Sequence, residues 1–365
     1  MAGKFKRKSF AEIDLEDHFF DSLKRDYPGT NNSTGFIEWF HKKAAVGKKA
    51  LVFEDEQGIG AFINLKPDEY EEIKLHDDIV LPKMKRLKIT TIKIDERYQH
   101  QRIGEGALGL TLWKWRDLGN KEIYVTVFKK HNTLIALLEK FGFKYSGCNP
   151  DGECVYIKNR EELDFSTPLK AFPFINPNFN RAGYLLINDK YHDTMFAYSE
   201  LANTLQSKVD MSVANGLMKV YLSSAREVAF KPTTPILIYR KYTGTAGKAG
   251  YKSCITSYCI VTQIVQVKSR GKYFISYEEY RKLIGNKSVF DENELKEKYD
   301  TLTDIMLIEI LYLGYFGAGN NVNWAWLKNN GYWPNTYPMS ILYSKEQFCK
   351  IFQEGNVDVE NVIIN

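Results

Sequence analysis

Ile92 and Ile94 alternate with polar neighbours and predict a strand, which runs into a basic, amide-rich stretch, Gln99-His-Gln-Arg-Ile-Gly104. A helix then opens at Ala107-Leu108 and closes near Gly119-Asn120. Residues 122–128 read as a second strand. Asn132 is expected to cap an amphipathic helix over 134–141 that stops at Gly142. Glu54-Asp-Glu56 marks a hairpin turn before these elements. Further on, β-branched and aromatic runs predict strands over 184–187, 235–240, 253–267 and 305–316. The third is long enough to be one bent strand or two. Helical spacing is expected over 191–205, 277–283 and 345–352.

Between 164 and 183 the text changes to a proline- and asparagine-rich stretch, which predicts an extended connector. A first domain over 1–163 and a second over 184–365 follow. At 365 residues each half is large enough to bury a core of its own. No apolar run approaches the ~20 residues that span a bilayer, and acidic residues interrupt any signal core behind the basic N-terminus. The expectation is a cytoplasmic protein that does not enter membranes. Its five scattered cysteines, at 148, 154, 254, 259 and 349, are expected to be reduced thiols, and no metal site is expected.

Net charge is uneven. Residues 1–166 carry 28 Lys+Arg against 27 Asp+Glu, residues 167–290 carry 17 against 7, and residues 291–365 carry 5 against 11. The basic middle block predicts attraction to polyanions. Seventeen of the 23 tyrosines lie at or beyond Tyr184, beside Trp324, Trp326 and Trp333, and aromatic faces of this kind can stack on bases. Lys219, Tyr239, Arg240, Trp324 and Trp326 are the candidate RNA contacts. Both indoles share one face if 323–326 is extended.

The 99–106 turn carries the clearest chemistry. A helix N-terminus presents unpaired N–H groups and the positive end of a dipole, which suits a phosphate, and Gly104 and Gly106 let the ligand approach the backbone. Strand, phosphate turn, helix, strand and a short helix ending in Leu138-Glu-Lys-Phe-Gly-Phe143 is an order that resembles the GNAT N-acetyltransferase superfamily over residues 10–160. The resemblance implies an α/β fold with a mixed central sheet flanked by helices. It also implies acetyl-CoA as co-substrate, its pyrophosphate on Gln99, Gln101, Arg102, Ile103, Gly104, Glu105 and Gly106. The pantetheine arm would run along Ile92 and Ile94, with Asn132 nearby. The motif can be read from Gln99, with Arg102 in place of its first glycine, or from Gln101. The first register leaves Ala107 and Leu108 facing inward. Where many members carry a proton-donating tyrosine this chain has Leu138, which cannot donate. His131 is the nearest titratable candidate for the base, with Asp95, Glu96 and Glu54-Asp-Glu56 as further ones.

Residues 181–365 resemble, more loosely, the PUA-like domains that include ASCH and EVE modules. The carriers are Asn215-Gly-Leu-Met-Lys219-Val-Tyr-Leu222, the Lys231-Pro step and the strands that follow, without the catalytic ASCH core. That resemblance implies a mostly β barrel with a few helices that binds RNA. Together the halves suggest an N-acetyltransferase whose acceptor is RNA-linked, either a tRNA base or, as in GNAT toxins, an aminoacyl-tRNA. A protein or small-molecule acetyltransferase, a homodimer among its forms, and a CoA-binding protein of weak activity are the alternatives.

Overall fold

The computed structural model describes residues 4–29, 34–98, 101–199, 212–245, 249–333 and 342–364. The chain divides into two compact units, one reaching Glu162 and the other starting at Leu163, with Lys140–Gly142 counted in the second. No helix among the described residues is long and apolar enough to cross a membrane.

The first unit runs β1 (Lys4–Ser9), α1 (Asp21–Asp26), α2 (Phe36–Ala45), β2 (Lys49–Asp55), β3 (Gly58–Lys74), β4 (Val80–Ile94), α3 (Ile103–Leu118), β5 (Glu122–Val127), α4 (Asn132–Lys140), β6 (Lys144–Cys148) and β7 (Cys154–Asn159). Its seven strands form one sheet in the order β1-β2-β3-β4-β5-β7-β6. Every neighbour is antiparallel except β4 and β5. Strand alternation sends side chains to both faces. Val52 and Phe62 pack with Phe10, Phe20, Phe36 and Phe40 of the α1–α2 side. Phe53, Ala61 and Ile63 pack with Ile103 and Ala107 of α3. Helices therefore cover both faces of a mixed sheet, the α/β arrangement expected of this half. Phe20 and Phe62 are fully buried, and truncating either to alanine should cost about 3–5 kcal/mol.

The second unit contains α5 (Pro168–Ala171), β8 (Arg181–Asn188), α6 (Asp189–Met195), α7 (Ser212–Asn215), β9 (Met218–Ser223), β10 (Pro235–Lys241), α8 (Ala249–Lys252), β11 (Cys254–Ser269), β12 (Lys272–Tyr273), α9 (Tyr277–Ile284), α10 (Glu292–Thr301), β13 (Ile305–Tyr315), β14 (Val322–Asn323), α11 (Trp324–Asn329), β15 (Tyr343–Ser344), α12 (Lys345–Glu354) and α13 (Val359–Val362). Its sheet runs β15-β8-β10-β11-β13-β9, with β12 and β14 joined to β11. The path is open among the described residues, ending on β15 and β9, so the expected closed PUA-like barrel is not found. β11 is a single strand whose pairing with β13 shifts register three times, so bulges bend it without breaking it.

Three local expectations change. Residues 164–183 are not a purely extended connector: Thr167 caps the short α5, and Ala171, Phe172, Phe174 and Ile175 are buried because this stretch is apolar as well as proline-rich. The helix expected over 191–205 is α6, ending at Met195, while 200–205 lie outside the described residues. Trp324 opens α11 behind an Asn323 cap, so at 100° per residue the two indoles diverge instead of sharing a strand face.

A polar chain lies under the second sheet. The fully buried His192 ring sits 2.9 Å from Asp193 Oδ1 through Nδ1 and 2.7 Å from Thr256 Oγ1 through Nε2. A carboxylate only accepts, so Nδ1 carries the proton and Nε2 accepts from the threonine hydroxyl. Arg240 grips Asp193 at 2.8 and 2.9 Å. Burial, opposed by Asp193, holds the imidazole below its ordinary value of about 6.5. The unfolded chain then binds the extra proton first. Stability is full above about pH 6.5 and falls as pH drops below it, by at most about 1.4 kcal/mol per pH unit. Urea unfolding of the full chain between pH 5 and 8 should show this decline, and His192→Gln should flatten it.

Candidate active site

β4 pairs in parallel with β5 only over Arg86–Ile89 against Glu122–Val125. Beyond that point the two strands part. Residues 91–94 pair with β3 alone and Thr126 and Val127 with β7 alone, among the described residues. One side of the end of β4 is thus a half-buried strand edge without a strand partner. Parallel strands bring their C-terminal ends to the same side of the sheet, so the α3 N-terminus and the loop after β5 flank the same opening.

The turn between β4 and α3 is tied to the β2–β3 hairpin. Asp95 N donates to Gly60 O at 2.9 Å, and Arg97 reaches Gln57 O at 2.7 Å and Ile59 O at 3.1 Å. Tyr98 is buried and its hydroxyl donates to Asp55 at 2.5 Å. Gly60 exists to receive the Tyr98 ring, since a methyl there would collide with it and come within 2.9 Å of Phe53. Gln99 lies outside the described residues, and the Gln101 amide donates to Tyr98 O at 3.3 Å.

Arg102 precedes α3 with φ 60° and ψ 17°, a left-handed backbone that glycine adopts at no steric cost. It stands where the register read from Gln99 puts arginine in place of glycine. Arg102, at the cap position, has no acceptor with which to cap α3, and the start of a helix leaves its first-turn amides, those of Ile103 and Gly104 among them, without intrahelical carbonyls. The Arg102 guanidinium grips Glu105 at 2.7 and 3.2 Å, is about nine-tenths buried, and leaves Nη1 without a hydrogen-bond partner among the described residues. Gly104 faces Leu137 of α4 and Ile94, at 3.6 and 3.8 Å from where its Cβ would sit. Ile103 and Gly106 are buried against the sheet side of the helix. Ile92 and Ile94 are half-buried.

Beyond the β5 end lies a second group, of which the sequence had singled out only His131. Lys130 pairs with Asp26 at 2.8 Å, and that bond holds the Asp26 carboxyl below its ordinary range. Tyr27 packs against Phe128, the rings tilted and 5.5 Å apart, and donates to Glu153 at 2.9 Å, while Asn149 Nδ2 donates to the other Glu153 oxygen at 3.1 Å. Burial first, then Glu153, raises the Tyr27 phenol. Lys93 on β4 bonds Phe19 O and, at 2.6 Å, Ser22 Oγ. His131 is exposed by surface area, yet desolvation of its ring and then Lys130 hold it below its ordinary value against the pull of Asp26. It also occupies the cap position expected of Asn132, since Ile135 N donates to His131 O at 3.0 Å and α4 starts at Asn132. Leu138 is fully buried, a core residue with no proton to give.

The RNA candidates fare differently. Lys219 is fully buried, its ammonium donating to Val213 O at 2.5 Å and Gly216 O at 2.7 Å under the Phe196 and Tyr312 rings. Tyr239 is buried against Trp333 at 4.6 Å, and Arg240 is held by Asp193. These three serve the fold, because strand residues alternate between faces and the sequence does not say which face is wet. Trp324 and Trp326 are half-buried, with Lys328 over the first and Tyr332 against the second. Among the described residues no group of three or more His, Cys, Asp or Glu could hold a metal.

No family profile matches the chain, and no curated protein does. Solved structures resemble its N-terminal part. An acetyltransferase of the GNAT family from Listeria monocytogenes 4b F2365 is 16% identical, the match covering 42% of this chain and 94% of that one at a TM-score of 0.31. An N-acetyltransferase from Staphylococcus aureus Mu50 is 13% identical over 44% and 99%, at 0.33. A GNAT family N-acetyltransferase from Escherichia coli, solved in complex with CoA, is 16% identical over 44% and 83%, at 0.29. These likenesses cover less than half of this chain, and the functional reading rests on the site's own residues.

Gly60 of β3 and Gly104 of α3 should respond in opposite ways. Gly60→Ala forces Tyr98 and Phe53 aside and should cost about 1–3 kcal/mol in chemical denaturation. Gly104→Ala makes only ordinary contacts in a helical first turn and should be neutral or add up to about 1 kcal/mol.

Proposed function

We propose that the N-terminal unit binds acetyl-CoA and transfers its acetyl group to an amine. The observation that carries this reading is a strand edge that, among the described residues, has no strand partner and runs into a helix N-terminus that its own cap residue Arg102 does not cap, beside the Arg102 Nη1. A diphosphate fits the helix amides and the guanidinium, and a chain of amides fits the β4 edge by strand-like hydrogen bonding. When bound, the co-substrate supplies an activated thioester. Of this chain's residues, Arg102 and the amides of 103–105 hold the anion, and the 91–94 edge aligns the arm. His131, kept neutral at physiological pH, takes the amine's proton. Leu138 leaves no tyrosine at the usual position to protonate the leaving sulfur, and a thiolate can depart without one.

Calorimetry with CoA tests the site. Gly104→Glu should abolish binding in a folded protein, and unchanged affinity would overturn the assignment. With an amine acceptor, kcat/KM should rise with pH to a plateau whose midpoint lies below about 6.5, since the His131 proton is lost early. His131→Ala should remove that limb and about 10²–10⁴ of the rate.

For the acceptor we propose an RNA-linked amine, a tRNA base or an aminoacyl-tRNA. Support comes from exposed cations of the basic block, Lys231, Lys241, Arg270 and Lys272, and from Phe274, 57% exposed beside Lys272. Anisotropy of the full chain with tRNA should show log affinity falling with log salt at a slope of about −3 to −4 for four to six phosphates. Phe274→Ala should weaken binding by about 1–3 kcal/mol without changing that slope. No binding at low salt would leave a protein or small molecule as acceptor.

A further inference from the structure

β6 and β7 are joined by Asn149-Pro-Asp-Gly-Glu153. Gly152 N donates to Asn149 O at 3.0 Å, Gly152 has φ 81°, and Asn149 N donates to Glu153 O at 2.8 Å. Proline at the second turn position and glycine in a left-handed conformation before the strand resumes make this a tight, register-setting loop. The register it sets places Cys148 opposite Cys154, with the two sulfurs 3.8 Å apart and both thiols free. Bonded and non-bonded pairs alternate along an antiparallel ladder. With Asn149–Glu153 bonded, Cys148–Cys154 is a non-bonded pair, where Cα atoms lie about 4.5 Å apart, inside the range a disulfide spans. Cys148 O points the other way and accepts from His76 N at 2.8 Å, as a non-bonded position requires. Cys148 is half-buried, and Cys154 is buried with its thiol held above its ordinary value by that burial.

We propose that Cys148 and Cys154 form a reversible dithiol–disulfide couple that clamps the β6–β7 hairpin. The couple stands whatever reaction the N-terminal unit performs. The oxidant is a small-molecule disulfide such as oxidised glutathione. The Cys148 thiolate attacks one of its sulfurs, the reagent S–S bond breaks, and one glutathione leaves as the thiol after taking up a proton. The Cys154 thiolate then attacks Cys148 Sγ in the mixed disulfide, and the second glutathione leaves in the same way. Two cysteine thiols are oxidised to one disulfide, one reagent disulfide is reduced to two thiols, and the protons shed by the cysteines leave on the glutathiones. The sulfurs close from 3.8 Å to the ~2.05 Å of a bond by side-chain rotation within an existing register. Glu153, which accepts from Tyr27, and Asn149, which donates to Glu153, sit inside the loop so closed.

The test equilibrates the full-length protein at a series of reduced-to-oxidised glutathione ratios, blocks residual thiols with an alkylating reagent, and digests with trypsin. Cleavage after Lys144 and Lys158 gives one peptide holding both cysteines. It should become two hydrogens lighter and unalkylated as the ratio falls, and revert with dithiothreitol, while Cys254, Cys259 and Cys349 stay alkylated. Amide exchange across 149–153 should slow on the order of tenfold in the oxidised form, as expected for a stiffened hairpin. Cys148→Ser and Cys154→Ser, each alone, should lose both effects. A wild-type peptide that keeps both thiols at every ratio, or that stops at glutathione adducts, would overturn the couple. Unchanged exchange in a fully oxidised sample would overturn the clamp.

Discussion

Four residue pairs hold β4 to β5, and the candidate site depends on that ladder stopping at Ile89 and Val125. Had it continued, the β4 edge would be satisfied by its neighbour and nothing would be left for a ligand to bond. Because it stops, β4 leaves half-buried backbone groups along one side, each worth about 1–3 kcal/mol if left unpaired in a dry interior. Water or an extended, amide-bearing guest can satisfy them. β3 makes the parting tolerable. It follows β4 as its partner to Ile94 on the other side, so the strand keeps its shape after losing β5.

The same logic of support from one side places the turn. Asp95, Arg97 and Tyr98 are all fastened to the β2–β3 hairpin, and Gly60 is the hole that Tyr98 fills. The residues after Tyr98 can then adopt a conformation that serves the helix start, including a left-handed Arg102, at a cost of roughly 1–2 kcal/mol absorbed by the surrounding packing. Glu105 holds the arginine side chain close to the helix entrance.

The order of strand, turn and helix around Ile94, Arg102 and Ala107 was readable from the sequence because it is written in local periodicity and turn chemistry. The long β3–β4 hairpin was not. Its outer half is dense in Lys and Glu and carries little apolar alternation. Tyr27 and Glu153 were invisible as a pair because 126 positions separate them. Lys219, Tyr239 and Arg240 misled for a related reason: composition reports how much charge and aromatic surface a segment has, and only packing decides which side of a strand meets water. The Cys148–Cys154 pairing did carry a signal, the Asn-Pro-Asp-Gly turn between them. It becomes legible once the loop is seen to dictate which residues face each other.

Lys219 has a consequence for how this chain behaves toward copies of itself. Among the described residues β9 ends the path of the second sheet, and it carries its one charge inward, fixed to the carbonyls of 213 and 216. Across the strand, Val220 N is already engaged by Lys287 O. A foreign strand arriving at this edge would have to displace that bond. If it slid β9 by one residue to find a better match, it would drag an ammonium off its carbonyl seat into an apolar layer. A lysine that looks, by composition, like a hand extended to polyanions acts instead as a bolt on an open sheet, keeping the edge from becoming a template for aggregation.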